Sequence, residues 1–408
     1  MVTCPGSGRA SAQDREPTVP IIDRFAQMHQ EMTAWRRDIH AHPELGFREH
    51  RTADLVAEKL ESWGIEVHRG VGGTGVVGVL RAGDGGDAVG LRADMDALPI
   101  QEANTFDHHS RHDGVMHACG HDGHTAMLLG AARYLAETRN FRGTVNFIFQ
   151  PAEEGLGGAS AMIDDGLFDR FPCDNIFGMH NRPGLPLGQF AVRGGPMMAG
   201  GASFDVDITG KGAHGARPER GIDPVIVAAH ITTALQTIVA RNASPLDSAV
   251  LSVTQIHAGD AYNVIPQTAR LSGTARAFSR ATMDLMAAGT QRIARGVAEG
   301  LGATAVTRFD VAFAPTINDV AAADFAAGVC AEVAGADKVD RDPPLIMASE
   351  DFSFMLEKVP GCYFNVGNGH GADGEICDVH NPGYDFNDDA MPFGASVFAR
   401  VVEKRLPA

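Results

Sequence analysis

Between His108 and Thr125 the chain reads HHSRHDGVMHACGHDGHT, which sets His108, His109, His112, His117, His121 and His124 beside Cys119. Such a density of nitrogen and sulfur donors invites a divalent ion. Cys119 and His121 lie two residues apart where a helical pattern begins. A thiolate and an imidazole can therefore face one site from a turn entering a helix, whose N-terminus favours the anion. His108, His109 and His112 read instead as a solvated polar loop. Gln150-Pro151-Ala152-Glu153-Glu154 follows directly on the apolar run TVNFIF, and the C-terminal ends of strands are where open α/β sheets hold ligands. Two adjacent carboxylates can divide the work, one fixed on a metal and the other free to take a proton from a water on that metal. The bland alternative is a solvated acidic turn. A further strand-like run, DNIFGM, ends in His180, and Cys377 to Phe386 offers His380 just before a turn. Alone, either histidine reads as structural. Together Cys119, His121, Glu154, His180 and His380 are five donors, enough for two ions when bridging atoms and water are shared. The competing chemistry is a cysteine hydrolase with Cys119 as nucleophile and His121 as base. It lacks an orienting third group and leaves Glu153 without a task.

The elements that must position these donors alternate. Apolar residues recur at helical spacing from Ile22 to Ile39 and from Thr52 to Trp63, with Gly64 closing the second helix. Short β-branched runs follow at Ile65 to Val67, Gly75 to Leu80 and Ala88 to Leu91, then a helix over about Thr125 to Glu137 and a strand over Thr144 to Phe149. This pattern implies an α/β layer structure, a mixed sheet flanked by helices. From 196 to 313 the style changes to several strands and two helices, near Val225 to Ala240 and Met283 to Gly300. We read that stretch as an inserted smaller α+β domain. The catalytic domain is then discontinuous, 21–195 and 314–408, behind a disordered tail over 1–20. Gly73, Gly75 and Gly78 spell GxGxxG, but the motif runs straight into VLRAGDGGD without a helix to supply the dipole, so it reads as a strand and a turn rather than a dinucleotide site.

Composition narrows the classes. The 408 residues carry 34 basic and 51 acidic side chains, a net charge of −17, which repels phosphate backbones and anionic membranes, so neither is expected as a partner. An anionic substrate would then need a local cation. No run approaches the roughly 18 consecutive apolar residues of a membrane span, and the first twenty residues lack the apolar core of a signal peptide. The six cysteines are widely and irregularly spaced, as in a reducing cytoplasm rather than a disulfide scaffold.

Several long motifs, in order and across nearly the whole chain, carry a resemblance. They include RRDIHAHPELGF at 36–47, GLRADMDALPI at 90–100, MHACGHDGHT at 116–125, FQPAEEG at 149–155, GMHNRPGLPLG at 178–188, GKGAHGARPERGIDP at 210–224, YNVIPQTARLSGTAR at 262–276 and MASEDFSFML at 347–356. The sequence resembles the M20 metallopeptidase family, within it the aminoacylase-like amidohydrolases typified by hippurate and auxin-conjugate hydrolases. The resemblance implies a two-metal catalytic domain interrupted by a lid that also forms a homodimer or a higher homo-oligomer. By motif position it makes Cys119, His121, Glu154, His180 and His380 the metal ligands, Glu153 the general base, and Asp94 an acid that orients a ligand. It places His214 in a partner subunit's active site as an oxyanion donor, and Asn263 and Arg276 on the substrate. Arg276 would supply the cation for a substrate carboxylate. Cys119 stands where other branches bridge the metals with aspartate, which leaves manganese, zinc and cobalt open. The implied reaction is metal-dependent hydrolysis of N-acyl-amino acids of the hippurate or N-acetyl type. Alternatives are a dipeptidase, an N-acetyl-diaminopimelate deacetylase, or a non-catalytic metal- or ligand-binding protein.

Overall fold

A computed structural model describes residues 22–370 and 374–408; the tail expected to be disordered lies outside them. Helix α1 (Asp23–Ala41) buries Phe25, Met28, Met32, Trp35 and Ile39, a stripe at alternating three- and four-residue spacing that must face a core. Helix α2 (His50–Ser62) buries Thr52, Val56, Ala57 and Leu60. It ends at Trp63 and Gly64, the latter at φ +73°, the left-handed closure that glycine adopts without steric cost.

Strands β1 (Glu66–Val71), β2 (Gly75–Ala82), β3 (Ala88–Asp94), β4 (Gly143–Gln150) and β5 (Asn175–Pro183) precede the second unit. After it, β10 (Gly361–Gly369) returns to pair in parallel with β5. The sheet order is β1-β2-β4-β3-β5-β10, completed by two-residue strands at Phe190–Ala191 and Val339–Asp340. Strands β1, β2 and β4 are antiparallel neighbours, whereas β4, β3 and β5 run parallel, so the sheet is mixed as expected. All seven residues of β3 are buried, the pattern of a strand covered on both faces. The glycine-rich run is a strand followed by a turn, with no helix behind it.

Helix α3 (His121–Thr138) begins four residues before the expected start and is buried continuously from His121 to Ala132. That burial explains the early start: packing on every side holds its histidine-rich first turn in helical form, which propensity alone does not specify. Helices α6 (Val320–Ala334) and α7 (Met391–Arg405) lie against the same core.

The second unit has its own sheet and its own core. Strands β6 (Gly200–Thr209), β7 (Ala249–Ala258), β8 (Thr268–Ala277) and β9 (Thr304–Phe313) form an antiparallel sheet in the order β7-β8-β6-β9. Ala202, Phe204, Val206 and Ile208 alternate inward on β6 and pack with side chains of α4 (Pro224–Thr237) and α5 (Arg280–Gly300). Helix α4 with its π-helical extension to Asn242 is long and apolar enough to cross a membrane. However, Val227, Ala228, Ile231, Leu235 and Ile238 pack into this second core, and Asp223 caps the helix by accepting from the Val225 amide. Those five side chains face the sheet beneath it, while Val225 and Ile226 remain exposed.

Candidate metal centre

Apart from His180, the expected donors sit at element ends or on strained turns. Cys119 precedes α3, and Gly120 between Cys119 and His121 adopts φ +92°. A Cβ there would fall 2.3 Å from Asn181 Nδ2, so no side chain fits without moving Asn181. That amide donates to the Cys119 carbonyl at 2.7 Å, and its Oδ1 accepts from the Tyr384 hydroxyl at 2.6 Å. Glu153 and Glu154 follow β4 by way of Ala152 at φ +53°, and His380 itself lies at φ +64°. Left-handed non-glycine residues cost on the order of 1–3 kcal/mol each and persist where surrounding contacts over-determine them. Here the His380 amide donates to the Ala118 carbonyl at 2.7 Å, tying the His380 turn to the Cys119 turn. His180 lies within β5, which runs on to Pro183 rather than ending at the histidine.

The donor atoms of Cys119, His121 and His180 fall within 4.8 Å of one another, and so do those of Cys119, Glu154 and His380. Cys119 is the member common to both groups. Its Sγ lies 3.3 Å from His180 Nε2, while His380 Nε2 lies 3.2 Å from Glu154 Oε1. The His180 Nδ1–H donates to the Asn181 carbonyl at 2.6 Å, which leaves Nε2 as a lone-pair donor toward the site. His121 Nε2 and Glu154 Oε1 are buried without an aligned hydrogen-bond partner among the described residues. Orphaned buried polar atoms are costly, and a cation between them would satisfy both. One sulfur, three nitrogens and one carboxylate sharing a common thiolate thus fit a pair of divalent ions.

Asp96 carries a role that sequence reasoning passed over. Its Oδ1 lies 3.1 Å from His121 Nδ1, and its Oδ2 accepts from the Glu154 amide at 3.0 Å, so one carboxylate aligns two donors. Asp94 sits 3.8 Å from His121 Nε2 but bonds more closely to His124 Nδ1 and Arg92 Nη1, both at 2.6 Å. The available signal was the second acid of Asp94-Met95-Asp96, immediately past the end of β3. Asp96→Asn is expected to weaken ion affinity about 10- to 100-fold, the usual effect of losing a carboxylate behind a ligating histidine. Competition against a chromophoric chelator would measure it, and unchanged affinity would remove Asp96 from this role. His108, expected in a solvated loop, is half-buried instead: it stacks on Phe106 at 3.9 Å and reaches Asp385 at 3.2 Å. His109 and His112 are exposed as expected.

A ring of buried charge stands behind Glu153. Arg92 is fully buried and pairs with Asp94, with Glu350 at 2.8 Å and with Asp351 at 3.4 Å. The Tyr363 hydroxyl donates to Glu350 at 2.5 Å, and Gln150 Nε2 to Asp351 at 2.7 Å. Burial pushes the Glu153 carboxyl well above the usual carboxylate range, and the neighbouring charges of Glu350, Asp351 and Glu154 push it the same way. Asp94 goes in the opposite direction: burial disfavours its charge, but Arg92, His121 and His124 outweigh that and hold it well below the usual range. Two acids set apart by environment suit opposite tasks, one exchanging a proton and the other holding a fixed charge.

Cys119, Glu153, Glu154, His180, His380 and Arg276 line one cavity of about 560 Å³ between the two sheets. Arg276 Nη1 donates to Thr274 Oγ1 at 2.7 Å and to the Ala275 carbonyl at 2.9 Å, and makes no ion pair among the described residues. His214 and Asn263 are not brought to this cavity within the chain. They are exposed on the second unit, where His214 pairs with Val264 in a two-stranded ribbon and the Gly215 amide donates to the Asn263 carbonyl at 2.7 Å.

The family described as Peptidase family M20/M25/M40 matches residues 90–404. The hippurate hydrolase of Campylobacter jejuni is 42% identical over 386 residues, covering 95% of this chain and 99% of that protein. The N-acetylcysteine deacetylase of Bacillus subtilis is 37% identical over 91% of this chain and 96% of its own. A crystal structure of a Bacillus subtilis dinuclear metal-binding peptidase of the M20 family superposes with a TM-score of 0.81 at 33% identity, covering 93% of this chain and 99% of the other. The chain belongs to the M20 peptidase family. It is a metal-binding hydrolase that acts on amide C–N bonds.

Proposed function

We propose that this protein hydrolyses the amide of N-acyl-amino acids, releasing a carboxylic acid and the free amino acid, with two divalent ions per subunit. The observation that carries the reading is the meeting of two donor groups sharing Cys119 with, lining the same cavity as Cys119, the acid Glu153 and the cation Arg276, which makes no ion pair among the described residues. The hippurate hydrolase and deacetylase relatives support acylated amino acids over dipeptides. When bound, the ions would acidify a water and polarise the scissile carbonyl, chemistry that zinc, manganese or cobalt can supply.

The chain's own residues do the rest. Glu153, with its raised proton affinity, takes the proton from the attacking water and later hands it to the departing amine. Glu154, held by Asp96, keeps its carboxylate on the ion side and cannot exchange roles with Glu153. Arg276 anchors the substrate carboxylate across the cleft, so the amide is presented in a fixed register. His214 and Asn263, exposed in their own subunit, act in the site of a second copy, making the active form a homodimer in which His214 donates to the developing oxyanion. Cys119, Cys173, Cys330 and Cys362 are free thiols, which supports a cytoplasmic enzyme.

A panel of N-benzoylglycine, N-acetyl-amino acids, N-acetyl-diaminopimelate and dipeptides tests the reading. Acylated amino acids should be turned over ahead of dipeptides, and Arg276→Ala should raise KM for them by about tenfold or more through loss of a charge-assisted contact. Faster turnover of dipeptides would transfer the chain to the dipeptidases, and silence across the panel with ions bound would favour a binding role.

A further inference from the structure

The five donors arrive on four stretches of backbone: Cys119 and His121 at the start of α3, Glu154 after β4, His180 in β5, and His380 on the turn that leads to Tyr384. Asp96 holds the Glu154 stretch to His121. The other three stretches meet at a residue that is not itself a donor, Asn181. It is buried, and both its backbone and its side-chain polar groups are bonded. The side-chain NH2 donates to the Cys119 carbonyl at 2.7 Å and to His124 Nε2 at 3.0 Å, while Oδ1 accepts from the Tyr384 hydroxyl at 2.6 Å. Its own amide also donates to His124 Nε2, at 3.0 Å, and its carbonyl accepts from His180 Nδ1–H at 2.6 Å.

This pattern allows the side chain one orientation. A carbonyl oxygen and a ring lone pair on one side require the NH2 there, and the hydroxyl on the other side requires the oxygen. His124 presents its lone pair at Nε2 because its Nδ1–H donates to Asp94 Oδ1 at 2.6 Å. The Tyr384 amide donates to the Asn381 carbonyl at 2.9 Å, which closes the turn that begins at His380, so a bond to the Tyr384 hydroxyl pins that turn. Gly120 records how close the pieces lie: a Cβ there would fall 2.3 Å from Asn181 Nδ2 and 2.7 Å from the Tyr384 hydroxyl oxygen. An apolar side chain of similar size would fill the same space, but the Cys119 carbonyl and the Tyr384 hydroxyl would lose their bonds to it, which is costly in a buried place.

We propose that Asn181 is a positioning residue for the metal centre: one side-chain amide sets the spacing between the Cys119 turn, His180 and the His380 turn, and with it the spacing at which the two donor groups sharing Cys119 each close on an ion. The proposal rests on the two-ion reading given above. Its reach is uneven in a way that can be measured. The bond to the Cys119 carbonyl serves both donor groups, whereas the bond to Tyr384 serves the group that contains Glu154 and His380.

The test titrates cobalt into the ion-stripped full chain and records the stepwise dissociation constants by calorimetry, together with the absorption spectrum at one and at two equivalents. Asn181→Leu should weaken both constants about 10- to 100-fold, the usual effect of losing a residue that orients ligands, and should alter the spectrum at both equivalents. Tyr384→Phe removes a single oxygen atom and should weaken one constant by about tenfold. Its spectrum at one equivalent should then resemble that of His380→Ala, in which the same donor group is impaired, and not that of His180→Ala. If Asn181→Leu does not fold, Tyr384→Phe carries the test. A folded Asn181→Leu with the parent's constants and spectrum overturns the assignment, and so does a Tyr384→Phe that weakens neither constant or both alike. A parent chain that takes up fewer than two cobalt ions overturns the two-ion reading and this proposal with it.

Discussion

Replacing Glu153 by glutamine is expected to lower kcat by about 10²- to 10⁴-fold, the range attributed to a positioned general base, while the protein keeps its full complement of ions. The two effects separate because Glu153 and Glu154 are adjacent in sequence but differently held. The Glu154 amide is held by Asp96 and its carboxylate faces His380 at 3.2 Å, whereas Glu153 Oε1 receives, among the described residues, a 3.4 Å contact from the Asp351 amide. Glutamine keeps the size and that contact but cannot accept and return a proton. Metal analysis beside steady-state kinetics reads both quantities. Loss of ions in step with activity would show that Glu153 is a ligand, and the division of labour between the glutamates would fall.

Cys119→Ala should be more drastic for the ions. Cys119 is the one side chain shared by the two donor groups, so its removal takes a ligand from both positions at once. Bound metal should drop well below two ions per chain, and amide hydrolysis should fall to background, whereas loss of His180 or His380 should weaken chiefly one position. Burial raises the Cys119 thiol above its usual pKa, despite the opposing pull of His121, so the thiol is a poor nucleophile by itself and needs a cation to hold it as thiolate. An alanine variant that retained both ions would show that the thiolate bridges nothing.

How much of this was legible in the sequence follows from how local each signal was. The donors announced themselves because ligating residue types are rare in clusters, and Cys119-Gly120-His121 or Glu153-Glu154 can be read within a few positions. Helices α1 and α2 were legible from periodicity, and the first half of β3 from the short run Ala88 to Leu91. Asp96 was not, since its role depends on the pairing of β3 with β4, which brings it beneath both His121 and the Glu154 amide. The same holds for Arg92 with Glu350 and Asp351, partners more than 250 positions apart. The start of α3 was misplaced because burial on all sides, rather than propensity, sustains its first turn.

The central claim is that two ions, held through a shared thiolate, drive amide hydrolysis. It is tested most directly by stripping the protein with a chelator and titrating manganese, cobalt or zinc back while recording bound ions and turnover of an N-acyl-amino acid. The account predicts that turnover disappears on stripping and returns as occupancy reaches two ions per chain. Turnover that survives complete stripping and is abolished only by alkylating Cys119 would contradict it and identify a thiol nucleophile instead.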